Sequence, residues 1–259
     1  GSAIATTITR LIEVIVLILI LYLKFDFMAA RIGDFAHAFE RNFITRFIRS
    51  AIPVILNEAG WGLGVSIYSV IFSRMGTGVV AAMNISKVFE NLFNTFIFGM
   101  SYAAGVIVGK TVGEGKEDLA RDYGKKFFII TPIFSIITAV LTIVLAPALV
   151  SIYNISDSVR YDAVALLIII GIFQPIRSTN MIEIVGVLRS GGDTKTAMVL
   201  DLIGVWLIAL PLGAVTGLFL EWNILIVYPI MLVEEIMKFI FVAWRLKQGK
   251  WVRSLIKHF

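Results

Sequence analysis

The chain contains no cysteine and only two histidines among its 259 residues. The first absence excludes disulfides, thiol catalysis and thiolate metal sites. His37 and His258 fall outside the apolar stretches, so zinc at membrane depth has no imidazole to bind it. Charge is also scarce, at 16% of residues against about 25% in soluble domains. Glycine-rich phosphate loops are missing. Asp162 and Asp193 superficially suggest an aspartyl protease pair, but the topology argued below puts them on opposite sides of the membrane. Neither a filter-like loop nor a charged ring marks a simple channel. An enzyme is not expected.

Apolar sequence dominates instead, with 58% hydrophobic residues. Seven stretches, near 3–23, 51–72, 84–109, 127–150, 164–187, 198–219 and 223–244, reach the roughly 20 residues that cross a bilayer. Their long aliphatic runs point to helices, not to the alternating strands of a barrel. The fold class read from this pattern is all-α integral membrane. Gly1-Ser2 runs straight into apolar sequence with no positive n-region or cleavage site. Residue 1 therefore reads as a cut inside a longer protein.

The net charge of +5 does not point to nucleic acid, because of where it lies. Segments 24–49, 110–126, 188–197 and 245–259 together carry seventeen Lys and Arg, and the alternate connections carry two. The positive-inside rule places the rich set in the cytoplasm and residue 1 on the outer side of a cell (inner or plasma) membrane. Anionic lipid attracts such a face. Residues 1–23 read as one span, and 24–49 as a linker with Phe35, Phe39, Phe43 and Phe47 on one helical stripe beside basic residues. Residues 50–247 read as a six-helix lobe, and 248–259 as a basic cytoplasmic tail with Trp251 as an interfacial anchor.

Ionisable residues inside spans are costly and mark candidate sites. Arg10 and Glu13 are spaced to pair in the first span. Glu58 lies in the second span, where an unpaired carboxylate is expensive, next to the small-residue pair Gly60 and Gly64. Asn84, Lys87, Asn91 and Asn94 form a polar stripe on the third span with Glu90 beside it, as expected of a helix facing a cavity. Ser101, Gly105, Gly109 and Gly113 draw a packing seam further along. The fourth span, 127–150, has no charge and reads as peripheral and lipid-facing. In the fifth, Gln174-Pro175 precede Arg177 and Glu183, and Pro175 is the expected hinge. Gly191-Gly192 break this helix, and Asp193-Thr194 are placed to cap the next. Asp201 follows in the sixth span, and Glu234, Glu235 and Lys238 in the seventh.

Glu58, Glu183, Asp201 and Glu235, with Arg177 at similar depth, are the candidate cation-coupling and substrate residues. Carboxylates at low dielectric can exchange protons near neutral pH, bind Na⁺ or hold an organic cation. The same groups equally suit an ion-pair network that clamps one conformation.

LRSGGDTK (Leu188 to Lys195) resembles the multidrug and toxic compound extrusion (MATE) family. GSAIATTITR at the start, PVILNEAGW (Pro53–Trp61), Gly76-Thr77 with Val80–Ile85, and Gly105–Gly113 resemble that family in the same order. The resemblance implies a two-lobe, twelve-helix carrier in which this chain supplies the last helix of the first lobe, the linker and the second lobe. It implies alternating access, with export of small organic cations or amphipathic compounds coupled to Na⁺ or H⁺ and no cofactor. Its partner is the N-terminal six-helix lobe of the same protein. Two positions depart from the family. Trp61 stands where members often carry a glutamate, and Ser178 where they often carry an aspartate. Either Glu58 substitutes from one turn away, or coupling rests on the other lobe. A lipid-linked saccharide flippase of the same superfamily and a non-transporting scaffold are the alternatives.

Overall fold

The computed structural model describes residues 2–24 and 41–252. The chain divides into two compact units, 1–49 and 50–259. In the first unit, α1 (Ser2–Lys24) carries the Arg10–Glu13 pair at 2.7 Å. Phe35 and Phe39 of the expected stripe, His37 and His258 lie outside the described residues.

The remaining helices are α2 (Arg41–Met75), which begins in the first unit, α3 (Thr77–Gly113), α4 (Glu117–Ser151) and α5 (Asp157–Met181). A π-helical segment, Ile182–Leu188, continues α5. Then come α6 (Thr194–Ile203), which extends with π-helical stretches to Phe219, α7 (Ile224–Met231) and α8 (Val233–Gln248). Among the described residues the protein is all-helical, and five stretches are long and apolar enough to cross a membrane. The expected seventh span is two helices, because the chain turns at Leu232. Pro229, one turn earlier, withholds a backbone N–H and weakens the helix there.

Single residues set the connections. Gly76 alone joins α2 to α3, at a φ of 133° that a side chain would resist. Gly192, at φ 91°, closes the turn after the π-segment. Ser156 and Asn223 cap α5 and α7 by accepting backbone N–H groups.

The most extensive interface joins α4 to α5. Ala120, Gly124, Thr131, Ser135, Ala139, Thr142 and Ala146 recur at helical spacing along the buried side of α4. Such small residues let backbones approach closely. The helix expected to be peripheral is therefore packed along one side, and the opposite side, with Ile133, Ile137 and Val144, is exposed. The tail reading also changes. Trp251 is not an anchor at the surface but is 1% exposed, wedged over Gly124 and Gly191 beside Val187.

Several glycines of α2 and α3 are contact points. Gly60 and Gly64 face Leu202 and Val205 of the α6 span, and Gly105 faces Ser190 and Gly186. At Gly186 an added methyl would lie 2.7 Å from the Ser101 carbonyl oxygen. That obstacle is backbone, which no rotamer change removes. Gly186→Ala should cost about 1–3 kcal/mol, as overpacking does. Gly99→Ala, with open space around it, should leave thermal unfolding in detergent unchanged. Equal melting temperatures for the two variants would contradict this packing.

Candidate functional site

Ionic side chains from four helices and hydrogen-bonding side chains from α2 and α5 meet where α5, α6 and α8 come together. Arg177 on α5 reaches Glu90 on α3 through Nη1, and its Nε lies 3.9 Å from Oε1 of Glu235 on α8. Asn180, one turn after Arg177, donates to the carboxylate of Glu235 at 2.8 Å and to its backbone carbonyl at 2.7 Å. Gln174, one turn before, donates to Asn94 at 2.8 Å. The α5 positions 174, 177 and 180 thus form one polar face, set by helical periodicity.

The second half of the site centres on Lys238. Its ammonium donates to Asp201 Oδ1 at 2.9 Å and lies 3.2 Å from Glu234 Oε2. Asn57 on α2 donates from Nδ2 to the other Asp201 oxygen at 3.1 Å. Gly204 makes the room: a methyl there would lie 2.7 Å from Glu234 Oε2 and would overlap the Lys238 stem. Glu234 and Glu235 are consecutive on α8, so the two halves form one network. It holds four carboxylates (Glu90, Asp201, Glu234, Glu235) against two cations (Arg177, Lys238). Lys238 is 4% exposed and Glu234 7%. An excess of negative charge at low dielectric is expensive unless something positive answers it.

The sequence candidates fall in different places. Arg177, Asp201 and Glu235 are brought together. Glu58 is not the unpaired carboxylate expected of it. Its side chain is exposed, and Oε1 accepts from Arg189 at 2.7 Å, just beyond the end of the π-helical segment. Glu183 stands apart from the network, fully buried in the π-helical segment, with neither oxygen hydrogen-bonded among the described residues. Asn84 and Asn91 of the stripe are exposed, whereas Lys87 and Asn94 are half-buried. Lys87 lies 5.9 Å from the centre of the Phe72 ring. Pro175 sits inside α-helix, and the change of backbone pattern begins at Ile182. Asp193 is the first residue before α6 but does not cap it. Its carboxylate takes Thr196 at 2.8 Å and Arg245 at 2.6 Å, which ties the end of α8 to the turn before α6.

Asn57 and Asn180 enter the network without having been candidates. Asn180 carried a usable signal, being three residues after Arg177 and so on its face. Asn57 carried none, since its partner Asp201 is 144 positions away.

The MatE family profile matches residues 53–215. A probable multidrug resistance protein NorM from Bacillus cereus is 26% identical over 225 residues, covering 86% of this chain and 49% of that protein. An uncharacterized transporter, YisQ, from Bacillus subtilis is 23% identical, over 98% of this chain and 55% of its own length. A crystal structure of a MATE protein in complex with MaL6 superposes with a TM-score of 0.73 at 15% identity, over 90% of this chain and 54% of that one. The chain spans about half the length of the curated relatives it matches. The profile match covers more than half of the sequence and includes the turn at Gly191-Gly192 and both arms that carry Arg177 and Asp201, so the chain belongs to the MatE family, the multidrug and toxic compound extrusion transporters.

Proposed function

We propose that this chain forms the second lobe of a cation-coupled exporter of cationic or amphipathic compounds. The observation that carries the reading is the buried network with its excess of two carboxylates. Such a site gains from taking up Na⁺ or H⁺ and loses that gain when the ion leaves, which is what coupling to an ion gradient needs. The network also borders a polar face. Arg177 has a quarter of its side chain exposed, and Asn91 on the same side of α3 is exposed. We place the substrate path along this face, opposite an N-terminal lobe, with alternating access between the lobes. The linker, the inner turn at 189–193 and the tail then lie in the cytoplasm of a multi-pass membrane protein. Its relatives include proteins named for multidrug resistance.

Within this scheme the coupling role moves from Glu58 to Asp201, Glu234 and Glu235. Glu58 becomes half of an inner-face ion pair with Arg189. Glu58→Gln should therefore change export less than about fivefold, as an exposed ion pair contributes about 0–1 kcal/mol. The test of the reading is export of an organic cation by the full-length protein in vesicles, with Na⁺ and H⁺ gradients imposed separately. Export driven by either gradient supports it; export indifferent to both overturns it.

A further inference from the structure

One cation well inside a span stands outside the ion pairs found among the described residues. Lys87 lies about 15 Å along α3 from its first residue, at 1.5 Å per residue, too deep for the side chain to reach the helix end. Glu90, three residues on, is the ordinary intrahelical partner for it, but that carboxylate is turned to Arg177 on α5. The ammonium lies instead over the Phe72 ring, 5.9 Å from its centre. A ring face attracts a cation without cancelling its charge, and a half-buried charge at this depth is costly without a counterion. The surroundings show where a counterion fits. A cavity of about 30 Å³ lies between α2 and α3, lined by Ser69, Phe72, Val80, Met83, Asn84 and Lys87. One water needs about 10–15 Å³, so the space takes a group of about three heavy atoms and no ring. Ser69 spends its proton on the Val65 carbonyl at 3.1 Å. The lining donors that remain are the Lys87 ammonium and the Asn84 amide, and Asn84 is exposed on the same helical stripe as Asn91.

From this arrangement we infer that Lys87 and Asn84 form a recognition site for a carboxylate carried by the exported compound. The inference rests on the export reading and deepens it into a substrate class: zwitterionic amphiphiles, with an acidic group besides the cationic one. The cationic end suits the network, where carboxylates outnumber cations by two. The acidic end suits Lys87, one turn along α3 from Glu90 and on the polar face where the substrate path was placed. A carboxylate has three heavy atoms and fits the cavity, while the bulk of the compound stays outside it along the exposed stripe. Its oxygens accept from the ammonium and the amide, and charge-assisted bonds of this kind are the strong ones. A phosphate or sulfonate brings a further oxygen that two donors leave unanswered. Binding here makes and breaks no covalent bond. Lys87 selects among compounds and leaves the driving force to the carboxylate network.

The test is equilibrium binding to the full-length protein in detergent, read by fluorescence anisotropy with two probes that differ at one group. Rhodamine 110 carries a free carboxylate beside its cationic ring system. Rhodamine 123 is its methyl ester, a cation with the same fluorophore. Wild-type protein should bind the acid at least as tightly as the ester. Lys87→Met should weaken the acid relative to the ester by about tenfold or more, the size of a hydrogen bond to a charged group. Lys87→Arg keeps the charge and should keep the preference for the acid. Equal loss of both probes in Lys87→Met would make Lys87 a structural residue, paired with a carboxylate of the other lobe, and would overturn the inference. An unchanged ratio of acid to ester affinity, or failure of wild type to bind the acid, would also overturn it. No gradient enters this measurement, so the two ideas fail separately. A ratio that shifts as described, with export indifferent to Na⁺ and H⁺ gradients, keeps the site and removes coupled export. Gradient-driven export with an unchanged ratio does the reverse.

Discussion

Arg177→Met in the full-length protein should lower stability by about 3–5 kcal/mol and abolish export. Breaking a buried pair leaves its partner charge uncompensated, and that is the origin of the magnitude. Here two partners are left, Glu90 on α3 and Glu235 on α8, so three helices lose their common tie at once. The loss of stability should be reversible by design. Adding Glu90→Gln and Glu235→Gln removes the stranded charges, and the triple variant should unfold closer to wild type while remaining inactive. Thermal unfolding with parallel export assays separates the two effects. A single variant as stable as wild type would mean that the ion pairs do not form in the membrane.

Glu183→Met should have the opposite sign. The carboxyl is fully buried and neither oxygen finds a partner among the described residues. A buried polar group without a hydrogen bond costs about 1–3 kcal/mol. Methionine has similar length and no such cost, so the variant should melt at a higher temperature than wild type. Its location adds interest, because the residue sits in Ile182–Leu188, a π-helical stretch of the kind often found at functional sites. If export falls while stability rises, the chain is retaining a destabilising carboxyl for function. If both are unchanged or stability falls, Glu183 has a partner that the geometry does not supply.

Much of the fold was legible because it depends on local signals. Long apolar runs mark the spans, a lone Gly76 marks the turn between α2 and α3, and the Gly191-Gly192 pair marks the inner turn. The buried faces were partly legible too. Gly60 and Gly64, and the seam from Ser101 to Gly113, were readable as close-packing points before any neighbour was known. What the pattern could not supply is partnership. Periodicity places Glu58 on a helix face but does not say that Arg189, 131 residues later, stands opposite. It likewise gave Lys238 the neighbour Glu234 four residues back, whereas the shorter contact is to Asp201 on another helix. Trp251 misled for a related reason. An aromatic among basic residues fits a membrane interface, but the small side chains that bury it, Gly124 and Gly191, lie on other segments.

One backbone irregularity left no mark in the sequence. Pro175 is the obvious helix breaker in the sequence, yet it is accommodated within α5, while the pattern changes at Ile182–Leu188, which contains no proline. There the close approach of Gly186 to the Ser101 carbonyl oxygen, and the buried Glu183, set the local demands. The broken helix at Leu232 likewise places Glu234 and Glu235 in the first turn of α8, a position that hydropathy alone does not reveal.

The central claim is that the charge-imbalanced network around Arg177, Glu235, Asp201 and Lys238 links ion entry to export. The most direct measurement is export by full-length protein in vesicles under an imposed ion gradient, comparing wild type with Glu235→Gln, the carboxylate that Arg177 and Asn180 hold next to Glu234. Export driven by the gradient in wild type and uncoupled from it in Glu235→Gln, with equal membrane insertion, is the predicted result. Gradient-driven export of the same rate in both proteins would contradict it.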